Sequence, residues 1–372
     1  LYYGDNLKIL RNKDYFPDQC VDLIYLDPPF NSKATYNVLY KEPSGKSSQA
    51  QIAAFEDSWQ WGLESERALQ EIATSATAPA EVKEFISVLP NFVGQRTPMR
   101  AYLTMMAVRL IEMKRALKDT GSIYLHCDPT ASHYLKLLMD TIFGAGSFRN
   151  EIVWQRTGAH NDPKQWGRVA DTLLFYSKSD TWTWNPQYVE YTDDYIKERY
   201  KYVDDKTGRL HWRNTMTAAG AGAGKYFQGT LLQPPPGTHW RFSQEEIDRM
   251  EGEGRIYYSP SGKPYVKSFL DERDGRQIQS IWTDIVMSKS GMERLGYATQ
   301  KPEALLERII QASSNEGDIV LDPFCGCGTA VVAAQRLNRK WIGIDITHLA
   351  IGLMKWRLRN MTPPAAFTVI GE

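Results

Sequence analysis

Short apolar runs that break off at an acid recur along the chain: Val21–Asp27, Ser122–Asp128, Gly317–Asp322 and Trp341–Ile346. Runs this short and this apolar are the pattern of strands buried on both faces, so they call for a largely parallel sheet covered by helices. Helical spacing fills the intervals. Leu103, Met106, Ala107, Leu110, Met113 and Leu117 mark a helix over Met99–Lys118, with Gly121 placed to stop it. Further helices are expected over Ala131–Gly144, over Lys301–Ser314 with Pro302 in its first turn, and over Thr329–Leu337. The class is α/β. Residues 151–156, 172–178 and 181–184 read as further strands, the last two forming an antiparallel hairpin on the edge of the parallel sheet.

Regularity fails in two places. Residues 31–98 read as an insertion with one or two short helices and an aromatic cluster, Phe55, Trp59 and Trp61, which either shapes a lid or simply packs. Residues 185–285 exchange periodicity for Gly, Pro, Tyr and Trp, and form a smaller recognition region in which Ser243–Glu246 has capping-box spacing. The expected division is therefore 1–184, 185–285 and 286–372.

With 372 residues, 42% hydrophobic and 12% aromatic, the chain can bury a core and is neither disordered nor fibrous. Forty-four basic side chains balance 44 acidic ones, so a polyanion partner must be met by a local patch. Cys20, Cys127, Cys325 and Cys327 form no C-x-x-C pair, which fits a reducing, cytoplasmic setting better than zinc or disulfides. No run approaches eighteen apolar residues and no charged-then-apolar leader is present, so neither a membrane span nor secretion is expected. Leu1 opens the chain without a methionine, as a trimmed start would.

Two elements carry chemistry. Asp322-Pro323-Phe324-Cys325-Gly326-Cys327-Gly328-Thr329 joins a strand to a helix, where α/β sheets turn backbone toward nucleotide-like ligands. Asp345 ends the next strand, 19 residues after Gly326, where an acid can accept both hydroxyls of a ribose. Val331 replaces the third glycine of the dinucleotide pattern, so a ligand without phosphates fits better than NAD. The plain alternative is a β-α turn with structural glycines. The second element is Asp27-Pro28-Pro29-Phe30, a carboxylate at a strand end followed by two residues without N–H donors and a flat ring. It offers acceptors to an amine on a planar heterocycle. If Asp27 and the Pro28 carbonyl both accept its hydrogens, the nitrogen turns pyramidal and its lone pair becomes available for attack. The plain alternative is a proline-rich turn.

The combination resembles the S-adenosyl-L-methionine-dependent DNA amino-methyltransferases of the beta arrangement, with the D-P-P-F element first, recognition central and the cofactor turn last. The resemblance implies a circularly permuted Rossmann-like methyltransferase fold, with a mostly parallel seven-stranded sheet and an inserted target-recognition region. Tyr3-Gly4-Asp5-Asn6 looks like the family's G-D element, which implies Asp5 or Asn6 against the cofactor adenine. Thr299-Gln300-Lys301-Pro302 looks like its T-Q-K-P element, which implies Lys301 near the methionine carboxylate. By the same likeness Phe324, Gly326 and Gly328 would line the methionine and sulfonium end, flanked by Asp322 and Thr329, with Asp345 on the ribose. Phe30 would stack on a base swung out of the duplex.

The implied reaction is direct in-line displacement by the amine, without metal or covalent nucleophile. Asp27 at the head of the element favours N6 of adenine, and N4 of cytosine is the alternative. A cytosine C5 reaction needs a Pro-Cys dipeptide, and none occurs. A non-catalytic DNA-binding subunit and a nicotinamide oxidoreductase are the readings from other classes. Double-stranded DNA, a second copy of the chain and a cognate restriction enzyme are the implied partners, in a bacterial or phage setting.

No acid occurs between Lys206 and Gln244, whereas Lys206, Arg209, Arg213, Lys225 and Arg241 alternate with His211, Trp212, Tyr226, Phe227, His239 and Trp240. This is the local basic patch a neutral chain needs to hold DNA, with the Gly-rich stretch 218–224 allowing close backbone approach. Ala219 and Tyr226 spoil the likeness of this stretch to a Walker A loop. His126-Cys127-Asp128 either faces the cleft or begins a loop.

Overall fold

The computed structural model describes residues 1–29, 60–76, 78–158, 164–286, 295, 297 and 299–371. Phe30, Phe55, Trp59 and most of the expected insertion lie outside the described residues. The described chain divides into two compact units, Leu1–Gln187 with Gln279–Glu372, and Tyr188–Ile278.

The first unit is built on an eight-stranded sheet whose strands, numbered in chain order, are β1 (Tyr2–Tyr3), β2 (Val21–Leu26), β3 (Leu117–Cys127), β4 (Phe148–Gln155), β5 (Ala170–Ser177), β6 (Ile281–Trp282), β7 (Ile319–Asp322) and β8 (Lys340–Asp345). Their spatial order is β1-β8-β7-β2-β3-β5-β4-β6. Every pairing is parallel except those made by β5, which runs against both β3 and β4. Helices α1 (Asn6–Arg11), α2 (Leu63–Thr74), α3 (Ala80–Val88), α4 (Pro98–Ala116), α5 (Ser132–Phe143), α6 (Glu303–Ser313), α7 (Thr329–Arg336) and α8 (His348–Arg359) complete the unit. The main core joins β2 and β3 to α4 and α5, through residues such as Ile24, Leu26, Leu103, Leu110, Ile123, Leu135 and Leu138, each fully buried. Burying one such side chain is worth about 1.5–3 kcal/mol.

Several sequence expectations need correction. The sheet has eight strands rather than seven. The hairpin is made by β4 and β5, not by residues 172–178 and 181–184, and β6 pairs outside it, so it is not the edge. Residues 181–184 form no strand, because their tryptophans serve as packing surfaces: Trp182 lies under the Arg149 guanidinium at 3.9 Å, and Trp184 stacks on Phe175. Gly121 does not stop a helix. Helix α4 ends at Ala116 and Gly121 lies within β3, beside a register shift in the β2–β3 ladder. A Cβ there would come within 2.9 Å of the Asp22 carbonyl oxygen, so the close approach of the two backbones demands glycine. Pro302 caps α6 rather than entering its first turn. The expected insertion contributes α2, α3 and a single turn, Pro90–Val93, among the described residues, anchored by Ala68, Ile72, Val82 and Ile86.

The second unit carries a four-stranded antiparallel sheet, in the order Ile256–Tyr258, Pro264–Phe269, Leu210–Thr215, Tyr202–Val203. It has its own core of Met216, Phe227, Trp240, Ile247, Met250 and Ile256. Helix Gln244–Gly252 starts with the capping box that its sequence spacing announces. Among the described residues no helix is long and apolar enough to cross a membrane.

Candidate active site

From β7 the chain passes through α7 to β8 on one side of the sheet, and from β2 it passes through helices to β3 on the other. The boundary between β7 and β2 is therefore the topological switch point, where a crevice opens outside the carboxyl ends of the strands. Both chemical elements stand there. Leu321 pairs with Ile24 in the ladder, so Asp322 at the end of β7 and Asp27 just past β2 leave neighbouring strands at one edge.

On the β2 side, Pro28 is buried, Pro29 exposed and the Asp27 side chain largely shielded, while Phe30 lies outside the described residues. Two prolines after the strand end the ladder and turn the carboxylate out of the sheet. Lys301 Nζ pairs with Asp27 Oδ2 across 274 positions of sequence. Oδ1 of Asp27 has no partner among the described residues.

On the β7 side the glycine turn is shaped from three directions. Gly326 at φ +48° and Gly328 at φ +77° take left-handed backbone that side chains rarely adopt. A Cβ on Gly328 would fall 2.5 Å from Met354 Cγ, and one on Gly326 would crowd the Tyr297 ring. Asp345 braces the turn, its Oδ2 accepting from Gly326 N (2.9 Å) and its Oδ1 from Thr347 N and Oγ1, both 2.8 Å. Asp322 is buried and accepts from Phe324 N at 3.1 Å. Burial pushes the carboxyl of Asp322 well up from the ordinary aspartate range, against the pull of the Phe324 N–H, and raises that of Asp345. Thr329 opens α7 and sits 3.5 Å from Cys327 Sγ.

The remaining sequence-marked residues hold these walls together. Asn6 Nδ2 donates to the Pro323 carbonyl (2.8 Å), tying the first helix to the glycine turn, and Asp5 caps that helix by accepting from Leu7 N. Thr299, Gln300 and Lys301 follow Tyr297 in a turn closed by Gln300 N to the Tyr297 carbonyl, with Gln300 Oε1 accepting from Leu295 N. Thr299 is exposed and Lys301 buried.

Three contributors escaped the sequence. Arg109 of α4 is buried and donates from Nε to Asn6 Oδ1 (2.7 Å) and from Nη2 to Asp5 Oδ1 (3.1 Å). Arg357 of α8 donates to the Cys327 carbonyl (2.7 Å) and to Glu303 of α6 (2.6 Å). Tyr297 packs against Gly326. His126, which the sequence left between facing the cleft and beginning a loop, begins no loop: it is wholly buried in β3, bonded to Tyr25 Oη (2.9 Å) and Asp171 Oδ2 (3.2 Å). Burial lowers its affinity for a proton. An arginine on a helix gives no local signal of its target.

The basic stretch of the second unit is altered by folding. Arg209 donates to both oxygens of Asp271 and to Glu272, acids returned by a later part of the chain, so it is not the unopposed cation that the acid-free stretch implied. Arg213 lies between the rings of Tyr202 and Tyr257. Lys206 and Arg241 are exposed, and Lys225 is half-buried in a strand paired with Thr230–Leu232. Gly220 and Gly222 pack onto His239, where a Cβ on Gly222 would fall 2.3 Å from His239 Cβ, so neighbouring strands already require these glycines.

The sequence model of the family described as DNA methylase, of the N6 and N4 type, matches residues 21–354. The Type II methyltransferase M.EcaI of Enterobacter cloacae is 34% identical over 248 residues, 66% of this chain and 54% of that protein. The Type III restriction-modification enzyme StyLTI Mod subunit of Salmonella typhimurium is 26% identical over 352 residues, 91% of this chain and 50% of that one. The chain thus spans about half the length of these curated relatives. Among solved structures, the M1.HpyAVI–SAM complex aligns over 97% of this chain and 98% of that chain, with a TM-score of 0.44 at 16% identity. Because the family match runs continuously through both walls of the crevice, from β2 to α8, the chain belongs to the DNA methylase family of N6 and N4 methyltransferases.

Proposed function

We propose that the chain methylates the N6 amine of an adenine swung out of double-stranded DNA, with S-adenosyl-L-methionine as donor. The observation that carries this is the meeting of Asp27, Lys301 and the braced glycine turn at one switch point. The residues present fit that donor. Asp27 is paired with Lys301, and Asp322 lies in the field of Asp27, Asp345 and Lys301, a mixed-charge wall that suits a ligand carrying a positive centre and a carboxylate. Without a Cβ, Gly326 and Gly328 let Tyr297 and Met354 pack directly on the turn and hold its backbone in the left-handed shape. In this reading Asp345 holds the ribose hydroxyls, Lys301 the methionine carboxylate, and Phe324, Gly326, Gly328 and Thr329 line the methionine, with Asp5, Asn6, Thr299, Gln300 and Asp322 keeping those groups in place.

When bound, the donor would supply an electrophilic methyl group by direct in-line displacement: the N–C bond forms as the C–S bond breaks, S-adenosylhomocysteine leaves, and the methylated nitrogen gives up one proton to solvent. The chain's own part is positioning and electrostatics. Asp27 Oδ1 and the Pro28 carbonyl accept the two amine hydrogens, which localises the nitrogen lone pair, while Lys301 uses one N–H to hold Asp27 Oδ2 and keeps its others for the methionine carboxylate. Phe30 stacks on the extruded base. Lys206, Arg213, Lys225 and Arg241 are the proposed DNA contacts. A homodimer, a cognate restriction enzyme and a bacterial or phage cytoplasmic setting belong to the same proposal.

The test is incubation with methyl-labelled S-adenosyl-L-methionine and unmethylated DNA, followed by nucleoside analysis. Label in N6-methyladenine is expected; label only in N4-methylcytosine would overturn the choice of base, and none in DNA would overturn the activity.

A further inference from the structure

Arg213 lies mid-strand in Leu210–Thr215, in register with Lys267 of the neighbouring strand. Its guanidinium carbon is 3.6 Å from the centroid of the Tyr202 ring and 3.4 Å from that of Tyr257, distances at which the planar group is held against both rings. Stacking uses the faces of a guanidinium and leaves its five N–H donors in the plane between the rings. Arg213 spends none of these donors on a described residue, and its Nε is buried without a partner. Its neighbours differ. Arg209 is bound to Asp271 and Glu272, and Lys267 donates to Asp204 Oδ2 at 2.7 Å. Because Nε is closed off by burial, an outside partner can take up only the donors of Nη1 and Nη2, and a guanidinium left half-buried without one is costly.

The partner must offer two acceptors in one plane, at the spacing of the guanidinium fork. Phosphate oxygens and the O6/N7 edge of guanine both do so. A phosphate contact gains little from a locked plane, because a charge alone secures it. Reading a base edge depends on that plane, since the base lies at a fixed tilt in the groove. Resting on the proposed activity toward DNA, we infer that Arg213, clamped between Tyr202 and Tyr257, reads the major-groove edge of one guanine in the recognition sequence.

The test uses the whole chain. Sites methylated by the wild type on unmethylated DNA are mapped, and each guanine in the recognition sequence is then replaced in turn by 7-deazaguanine, which removes only N7. One guanine is expected at which this lowers wild-type kcat/KM by about tenfold or more. Arg213→Lys keeps the charge and loses the fork, so it should accept other bases at that position and be indifferent to the deaza replacement. Undiminished guanine preference in Arg213→Lys would make the residue a phosphate contact and overturn the inference. Should that variant fail to fold, the wild type decides alone: no guanine sensitive to loss of N7 overturns the inference. Wild-type protein that methylates no DNA would bring down the activity reading and this inference with it, an outcome distinct from methylation that ignores guanine.

Discussion

In the crevice, Lys301 and Asp27 meet across 274 positions, and Asn6 reaches Pro323 across 317. In the inserted unit, Arg209 is answered by acids only 62 and 63 positions away, yet those acids defeat the charge reading of the stretch that contains it. Both walls of the crevice were marked in the sequence, although Lys301 was expected on the cofactor's carboxylate and not on Asp27. The crevice is set by strand ends in a parallel sheet, and an acid or glycine that terminates an apolar run is visible in one dimension. The inserted unit sets its electrostatics by strand pairing between Leu210–Thr215 and Pro264–Phe269, whose register no local pattern states. A run without acids is therefore not a surface without acids.

The contrast can be broken most forcefully at Asp27. Asp27→Ala removes the acceptor at the end of β2 and should lower kcat by about 10²–10³-fold while S-adenosyl-L-methionine still binds, as measured by calorimetry beside single-turnover rates. Retained turnover would remove Asp27 from the chemistry. Gly328→Ala comes next. Its left-handed backbone and the overlap with Met354 should cost about 2–4 kcal/mol in denaturant unfolding and weaken cofactor binding as the turn shifts. Unchanged stability would show that Met354 yields.

Asp345→Asn should raise the cofactor dissociation constant by about tenfold, since the amide keeps one acceptor but loses charge toward the hydroxyls and the Gly326 N–H. An unaltered dissociation constant would leave Asp345 as a brace for the turn alone.

The inserted unit is sharpened by Asp204. Hydrogen bonding to Lys267, and then to Thr207, holds its carboxyl below the ordinary aspartate range. A depressed folded value stabilises above the unfolded aspartate pKa of about 3.9 and loses that contribution as pH falls further. Asp204→Asn should cost about 1–3 kcal/mol at neutral pH, with the gap from wild type closing in acid. A gap independent of pH would refute the charge-based account. The smallest effect is expected from Arg209→Ala. Because Asp271 and Glu272 already neutralise it, the salt slope of DNA binding should change by less than the roughly one counterion a free phosphate contact releases. A full unit of change would return Arg209 to the basic patch.

Much of the crevice was legible because its residues act through backbone. Gly326 and Gly328 are glycines for reasons of φ and close approach, and Asp345 ends the strand whose register brings it to Gly326 N. What escaped were long side chains that act at their tips. Arg109 and Arg357 sit on helices whose periodicity reports only which face is buried, and a guanidinium at the end of a long flexible stem can choose among many partners. Tyr297 was hidden because aromatic rings have no preferred sequence neighbour. The hairpin was misplaced because Thr181-Trp182-Thr183-Trp184 alternates as a strand would, and only the ladder tells a strand from a loop that packs its tryptophans.

Sequence alone determined that this chain would form an α/β sheet with an acid and a glycine turn at strand ends, because hydrophobic period, proline and glycine act within a few residues of themselves. Tertiary structure decided which strands are neighbours, and so that Asp27 faces Lys301 and the glycine turn. It also decided which cations of the inserted unit remain unpaired, Arg213 between its tyrosines rather than Arg209 among its acids. Both are matters of register and adjacency between segments far apart in the chain, and charge interactions fall off with distance in space, not in sequence.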